Sequence, residues 1–310
     1  MFTTDKIAIL MATYNGEKYI EQQINSIFQQ SYSNWILYIH DDGSTDDTVN
    51  IIQKYAIQYP TKIFIINGDA TGGARNNFFY MMQSVEAPYV MFCDQDDIWL
   101  KSKIEITYNK MLSIEENFGN DTPILVFSDL KVVDKDLNVI AEKMSEYQKL
   151  NPNKIQFKDI LIQNITTGCT MMLNKACVQK VLLLHNLENI IMHDWWCAMV
   201  TSYFGKLVYI DDPLVLYRQH NSNSVGAKAV TDIKYIMHKF FNSDEIRKSL
   251  ELTRKQTSEF IRVYGLKDKC LASEYIDNAN KNKIQRLIFY IKNNVWKSGF
   301  LRNLGLILWG

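Results

Sequence analysis

Residues 92–99 read Phe-Cys-Asp-Gln-Asp-Asp-Ile-Trp, three carboxylates at the end of the apolar run Tyr89–Cys93. Carboxylates this close repel one another unless a cation or a donor-rich ligand compensates them. The cluster therefore reads as a place to hold a divalent metal and the phosphates it carries. In an extended backbone Asp94 and Asp96 point the same way, so one can reach a ribose while the other reaches an ion bridging a diphosphate. Asp96 lies farther out of the strand and is the better metal ligand; Asp97 also suits a helix cap.

Asp41-Asp42-Gly43-Ser44 is a second acidic turn. Its carboxylates can accept hydrogen bonds from a base N–H and from ribose hydroxyls, or simply cap the next helix. Thr13, Tyr14, Asn15 and Gln95 are further polar candidates for lining a nucleotide. In Gly72-Gly73-Ala74-Arg75 the glycines permit close approach, and Arg75 offers a fork for phosphate or for a carboxylate of the Asp94 group. The first loop carries only Gly16, so the dinucleotide fingerprint G-x-G-x-x-G is absent there and a nicotinamide dehydrogenase is disfavoured.

His193-Asp194-Trp195-Trp196 opens a helix in apolar surroundings. Asp194 is an N-cap or a general base for a sugar hydroxyl, His193 is the rival base, and Trp195 or Trp196 can wall a sugar face. Thr166, Thr167 and Gly168 are candidates for the acceptor floor. In Tyr217-Arg218-Gln219-His220 the imidazole can ligate a cation, and Arg218 with Asn223 suits a diphosphate.

These residues need a scaffold that brings them together. Apolar runs at Ile7–Met11, Trp35–Ile39, Lys62–Ile66 and Tyr89–Cys93 read as strands, with helical spacing over Glu17–Gln30, Asp46–Tyr59 and Asn76–Ser84 between them. Such alternation implies a largely parallel sheet covered on both faces, with ligands beyond the carboxyl ends of the strands. Loops 13–16, 41–45 and 94–97 all fall at such ends. Further on, Lys101–Glu116, Lys175–His185 and Ile191–Phe204 read as helices. Ile124–Leu130, Leu207–Ile210 and Leu214–Gln219 read as strands, Ile165–Leu173 as strand-like around Gly168, and Ser145–Asp159 as a polar crossing.

Basic and acidic residues number 34 each over 310 residues, which argues against nucleic-acid binding through bulk positive charge. The balance is uneven: residues 1–227 hold 18 basic and 26 acidic groups, residues 228–310 hold 16 and 8. We expect a catalytic domain over 1–227 and a helical, basic region over 228–310. Residues 279–310 contain six basic and no acidic residues among many apolar ones, a composition that suits an anionic membrane surface. The five cysteines stand singly, as reduced core thiols do, and no signal-peptide run precedes Ile7; a cytoplasmic location is expected.

Met11-Ala12-Thr13-Tyr14-Asn15-Gly16, Asp41-Asp42-Gly43-Ser44 and Asp94-Gln95-Asp96, in this order and spacing, resemble glycosyltransferase family 2 over roughly residues 6–225. The resemblance implies a GT-A fold, an α/β architecture with a mainly parallel twisted sheet flanked by helices and here a helical C-terminal extension. It further implies a nucleotide-sugar donor, Mn²⁺ or Mg²⁺ as cofactor, and an inverting single displacement. Thr13 and Asp42 would contact the base, Asp41 its surroundings, Asp94 the ribose and Asp96 the metal. Asp194 would be the catalytic base, and His220 would assist at the diphosphate.

Within the family, Asp94–Trp99 with Tyr217–His220 resembles bacterial rhamnosyltransferases of streptococcal wall and capsular polysaccharides. That implies dTDP-β-L-rhamnose as donor and a lipid-linked saccharide acceptor at the cytoplasmic membrane face. Related members transfer galactose, glucose or N-acetylhexosamines from UDP-sugars. The Gln-x-x-Arg-Trp motif of processive synthases is missing, so one sugar per visit is expected. Two rival classes remain. A nucleotidyltransferase would need a glycine-rich basic loop where Thr13–Lys18 stands; a non-catalytic sugar-binding module would leave the strand-end aspartates without purpose.

Overall fold

The computed structural model describes residues 6–220, 243–267 and 269–309. The loop 221–226, with Asn223, lies outside them. The first half alternates as the apolar periodicity requires: β1 (Ile7–Thr13), α1 (Ile20–Phe28), β2 (Trp35–Asp41), α2 (Thr48–Gln58), β3 (Ile63–Ile65), α3 (Ala74–Ser84) and β4 (Tyr89–Asp94). β1 pairs in parallel with both β2 and β4, and β2 with β3. Side chains of β1 alternate between two cores. Ala8 and Leu10 meet Phe78 and Met82 of α3, whereas Ile7, Ile9 and Met11 meet Ile20, Ile24 and Ile27 of α1.

The second half comprises β5 (Ile98–Trp99), α4 (Lys103–Phe118), β6 (Ile124–Val133), β7 (Val139–Ala141), α5 (Met144–Tyr147), α6 (Phe157–Ile160), β8 (Met171–Asn174), α7 (Lys175–Val181), α8 (His193–Phe204) and β9 (Lys206–Arg218). One nine-stranded sheet results, in the order β3-β2-β1-β4-β8-β6-β9-β5 with β7 on β6. β8 runs antiparallel to both β4 and β6, β5 antiparallel to β9, and β7 antiparallel to β6. Parallel pairing thus dominates the first half, and the whole sheet is mixed.

Three local expectations need correction. Leu207–Ile210 and Leu214–Gln219 are one strand, β9; its register on β6 shifts around Asp129, opposite Pro213. Proline has no N–H to give a ladder, and a bulge is where a strand tolerates it. Gly168–Thr170 is a 3₁₀ turn instead of strand, because the Thr170 amide and hydroxyl both donate to the Thr167 carbonyl. The crossing at 145–159 contains the one-turn helices α5 and α6.

The C-terminal helices are α9 (Ser243–Tyr264), α10 (Leu271–Asp277), α11 (Lys283–Lys292) and α12 (Phe300–Trp309). They share a hydrophobic core with the sheet: Leu250, Phe260, Tyr275, Phe289, Tyr290 and Leu306 join the cluster built on Leu10 and Phe92. Phe260 meets Trp196 of α8 at 5.7 Å between ring centroids, and the Ile191 amide, just before α8, donates to Gln256 Oε1 of α9. Among the described residues, no helix is long and apolar enough to cross a membrane. Phe260→Ala should cost about 3–5 kcal/mol in urea unfolding, and near-ultraviolet dichroism of the α8 tryptophans should be lost in the same transition.

Candidate active site

Strand register gathers the first three loops. Thr13 sits opposite Asp41 and Ala12 opposite Asp94, so β1, β2 and β4 end side by side. Side-chain to backbone bonds then join the loops. The Asn15 amide donates to Ser44 Oγ and the Thr45 amide to Asn15 Oδ1, while Gly16 N donates to Thr48 Oγ1. Gln95 clamps Tyr14 from both sides, accepting from its amide at 2.9 Å and donating to its carbonyl at 2.8 Å. Gly16 leaves room for this clamp: a Cβ there would lie 2.1 Å from Gln95 Oε1. The Tyr14 side chain is 56% exposed at the rim.

Both carboxylates of the second loop are engaged within the protein. Asp41 accepts from the Thr13 and Ser44 hydroxyls and from the Gly43 and Ser44 amides, so the buried Thr13 orients Asp41 and does not itself face solvent. Asp42 accepts from the Thr71, Gly72 and Gly73 amides and from the Thr71 hydroxyl. Burial pushes its pKa up, but these bonds outweigh that and hold it below the ordinary range. The glycine pair therefore cradles Asp42. A cavity of about 340 Å³ opens beside this turn, lined in part by Asp41, Ser44, Ile65 and Asn67.

The third loop is dominated by repulsion. Burial, then Asp96 and Asp194, push Asp94 up to about 7, and burial with Asp96 and Asp94 raises Asp97 well above the ordinary range. Asp96 Oδ2 lies 2.8 Å from His220 Nε2, with both side chains partly exposed. Ligands about 2.1 Å from an octahedral ion and at right angles are about 3 Å apart, so this pair fits adjacent positions on one divalent cation. A carboxylate with an imidazole suits Mn²⁺ well, and Mg²⁺ with water completing its shell. Asp94, Asp97 and Cys169 also place ligand atoms within 4.8 Å of one another. Asp97 and Cys169 are buried, however, and desolvation with the adjacent carboxylates raises the thiol pKa, so this trio is a poorer cation site than the Asp96–His220 pair.

Arg218 is a strut. Its guanidinium donates to the carbonyls of Asp96 and Lys135 and to Gln22 Oε1, at 2.7–2.8 Å, and it is 2% exposed; the diphosphate role expected of it is not compatible with that burial. Its amide donates to Asp97 Oδ1. The Tyr19 ring packs between, 4.6 Å from the Arg218 guanidinium and 4.8 Å from the His220 ring. Tyr19 and Gln22 were not singled out in the sequence, because nothing local marks a partner nearly two hundred residues away.

Asp194 lies in the first turn of α8 and accepts from the Trp195 amide at 2.6 Å. Burial pushes it up to about 6, against the lowering effect of the Trp195 and Gly168 amides and Asn164. Its charge raises Asp94, which places the base candidate beside the third loop. His193 is buried between Phe78 and Phe92, at centroid distances of 4.2 and 5.0 Å, and desolvation lowers it to about 3. Neither ring nitrogen has a partner among the described residues. A neutral imidazole of such low basicity makes Asp194 the stronger base.

Trp196 is corrected outright: it is fully buried against Phe260 and Tyr264 and cannot wall an acceptor. Trp195 is half-buried, its indole N–H donating to the Ile160 carbonyl. Thr167 is half-buried, and Gly168 is packed where a Cβ would stand 2.7 Å from His193 Nε2. Arg75 donates to the Ile190 carbonyl at 2.7 Å and to Asn76, so its fork braces the segment entering α8 instead of the Asp94 group.

The parallel half-sheet with aspartates at its strand ends, extended by the antiparallel β8 and by β6 and β9, has GT-A architecture. The family model for glycosyl transferase family 2 matches residues 8–179, and the chain belongs to that family. It is 34% identical to the dTDP-rhamnosyl transferase RfbG of Shigella flexneri over 238 residues, which cover 73% of this chain and 76% of the relative. It is also 26% identical to the Escherichia coli UDP-Glc:alpha-D-GlcNAc-diphosphoundecaprenol beta-1,3-glucosyltransferase WfgD, over 55% of this chain and 60% of the relative. The fold matches S. aureus TarS 1–349 in complex with UDP-GlcNAc with a TM-score of 0.54 at 16% identity, covering 97% of this chain and 90% of that one.

Gly168→Ala would press on His193 and shift the turn beside Asp194. With His193 wedged between Phe78 and Phe92, overpacking should cost about 1–3 kcal/mol, read as a lower thermal midpoint, and turnover should fall about tenfold to a hundredfold; an unchanged midpoint with unchanged steady-state rates would show that the turn yields without moving Asp194.

Proposed function

We propose that this chain is an inverting transferase that moves one L-rhamnose from dTDP-β-L-rhamnose to a hydroxyl of a lipid-linked saccharide in cell-surface polysaccharide synthesis. The observation that carries the reading is Asp194, a buried carboxylate with its pKa pushed up to about 6, held on α8 beside Asp94. A carboxylate so placed is basic enough to take a proton from a sugar hydroxyl and ionised at neutral pH. The 34% identity to a dTDP-rhamnosyl transferase supports the donor.

In this reading Tyr14, at the rim, stacks on the base, and the joined loops 13–16 and 41–45 frame the nucleoside. Asp94 accepts from the ribose. Asp96 and His220 would hold Mn²⁺ or Mg²⁺, which would supply positive charge to the departing diphosphate. Asp194 removes the acceptor proton as that oxygen attacks the anomeric carbon from the face opposite the diphosphate. The C–O bond to the diphosphate breaks, and the configuration inverts. No acid is needed for this leaving group, so the carboxylates need not form the acid and base pair of a glycosidase. Half-buried Trp195 and Thr167 border the acceptor side.

A second donor class has its own support: the similarity to an enzyme named for UDP-Glc favours a UDP-sugar. Thermal stabilisation by dTDP-rhamnose against UDP-glucose, UDP-galactose and UDP-GlcNAc, each with and without Mn²⁺, separates the two. We expect the largest shift with dTDP-rhamnose and Mn²⁺; a larger one with a UDP-sugar would reverse the assignment.

Asp194→Asn should lower transfer about 10²–10⁴-fold while leaving donor-induced stabilisation intact, and normal rates would remove Asp194 as base. Because Asp194 must be ionised and Asp94 titrates with it, kcat/KM should rise with pH over about 6 to 7 and be lost below that range. Asp96→Asn should abolish metal-dependent stabilisation by the donor, as read by the same melts.

A further inference from the structure

α11 is amphipathic in an inverted sense: the side facing the protein is satisfied, and the side facing away is also apolar. Phe289 and Tyr290 are buried in the shared core, yet Ile284, Ile288 and Ile291, spaced i, i+4 and i+7, are 73%, 56% and 61% exposed. Lys281, Lys283 and Lys292 are exposed at its two ends. α12 repeats the arrangement, with Gly305 and Leu306 buried while Phe300, Leu301, Ile307 and Leu308 are exposed, Phe300 by 79%. Neither helix carries an acidic residue, nor does any position from 279 to 310; the nearest in sequence is Asp277 on α10.

We propose that α11 and α12 seat this enzyme on an anionic phospholipid bilayer, the isoleucine stripe entering the headgroup boundary and the lysines meeting lipid phosphates. Branched aliphatic side chains gain from leaving water, and lysines beside them gain from negative headgroups. Charge separates this occupant from a second copy of the chain. Pairing the stripe with itself would crowd Lys283 and Lys292 of both copies with no carboxylate in residues 279–310 to offset them. A spanning mode is excluded for both helices by length. The surface suits a lipid-linked acceptor, and in that respect alone it rests on the function proposed above.

The test uses the full chain and no sugar: co-sedimentation with vesicles of phosphatidylcholine alone or of phosphatidylcholine with phosphatidylglycerol, at low and high salt. Binding should be confined largely to the anionic vesicles and weakened by salt. The triple substitution Ile284→Ser, Ile288→Ser, Ile291→Ser should abolish it, and Lys283→Gln with Lys292→Gln should weaken it about fivefold per lysine, both with unchanged circular dichroism and thermal midpoint. Should the triple variant fold poorly, quenching of wild-type tryptophan fluorescence by brominated lipid reads docking without substitution. Undiminished binding by a folded triple variant, absence of wild-type binding, or a wild-type dimer that the triple substitution converts to monomer would each overturn the proposal. Loss of transfer to a water-soluble acceptor with vesicle binding intact would count against the catalytic reading only.

Discussion

The constraint on which the site depends is the cost of bringing like charges together out of water. Asp94, Asp96, Asp97 and Asp194 converge where a strand end and a helix start meet, and burial raises the price of ionising three of them. Such a group persists only where the surrounding protein fixes the backbone beneath it. Arg218 does this by bonding the Asp96 carbonyl and capping Asp97 through its amide. His220 stands against Asp96 from the same strand end, braced by Tyr19. Among the four carboxylates Asp96 keeps some exposure, with His220 against it.

The first half of the fold was legible from the sequence because its information is local. Four apolar runs alternate with helical periods, and parallel pairing of adjacent units places their polar loops at one edge. Thr13, Asp41, Asp42, Asp94 and Asp96 thus lie at or just beyond adjacent strand ends, as the alternation predicts. What local pattern could not disclose is what each side chain turns toward. Asp42 looked like a free acceptor, and it fills the amides of residues 71–73. Arg75 and Arg218 looked like phosphate ligands, and each holds backbone carbonyls instead.

The second half was less legible for the same reason. Trp195 and Trp196 are indistinguishable as neighbours in a string, but α8 turns by about 100° between them. Trp195 stays half-buried with its indole N–H on the Ile160 carbonyl, and Trp196 enters the core with Phe260. That core is completed by α9, whose Gln256 bonds the segment entering α8. The helix bearing Asp194 is therefore positioned from behind by α9.

The bonds joining residues 13–17 to 44–48 bear on how such an enzyme can be re-engineered. Asn15 adopts a left-handed backbone, φ 48°, and is held there by Ser44 and Thr45; Glu17 and Asp46 exchange bonds with the facing backbone. Two segments that complete each other's hydrogen bonds behave as one graftable cassette. Transplanting either alone into a related scaffold would strand polar groups on both sides of the graft, so the pair must be moved together, with Gln95 as its latch.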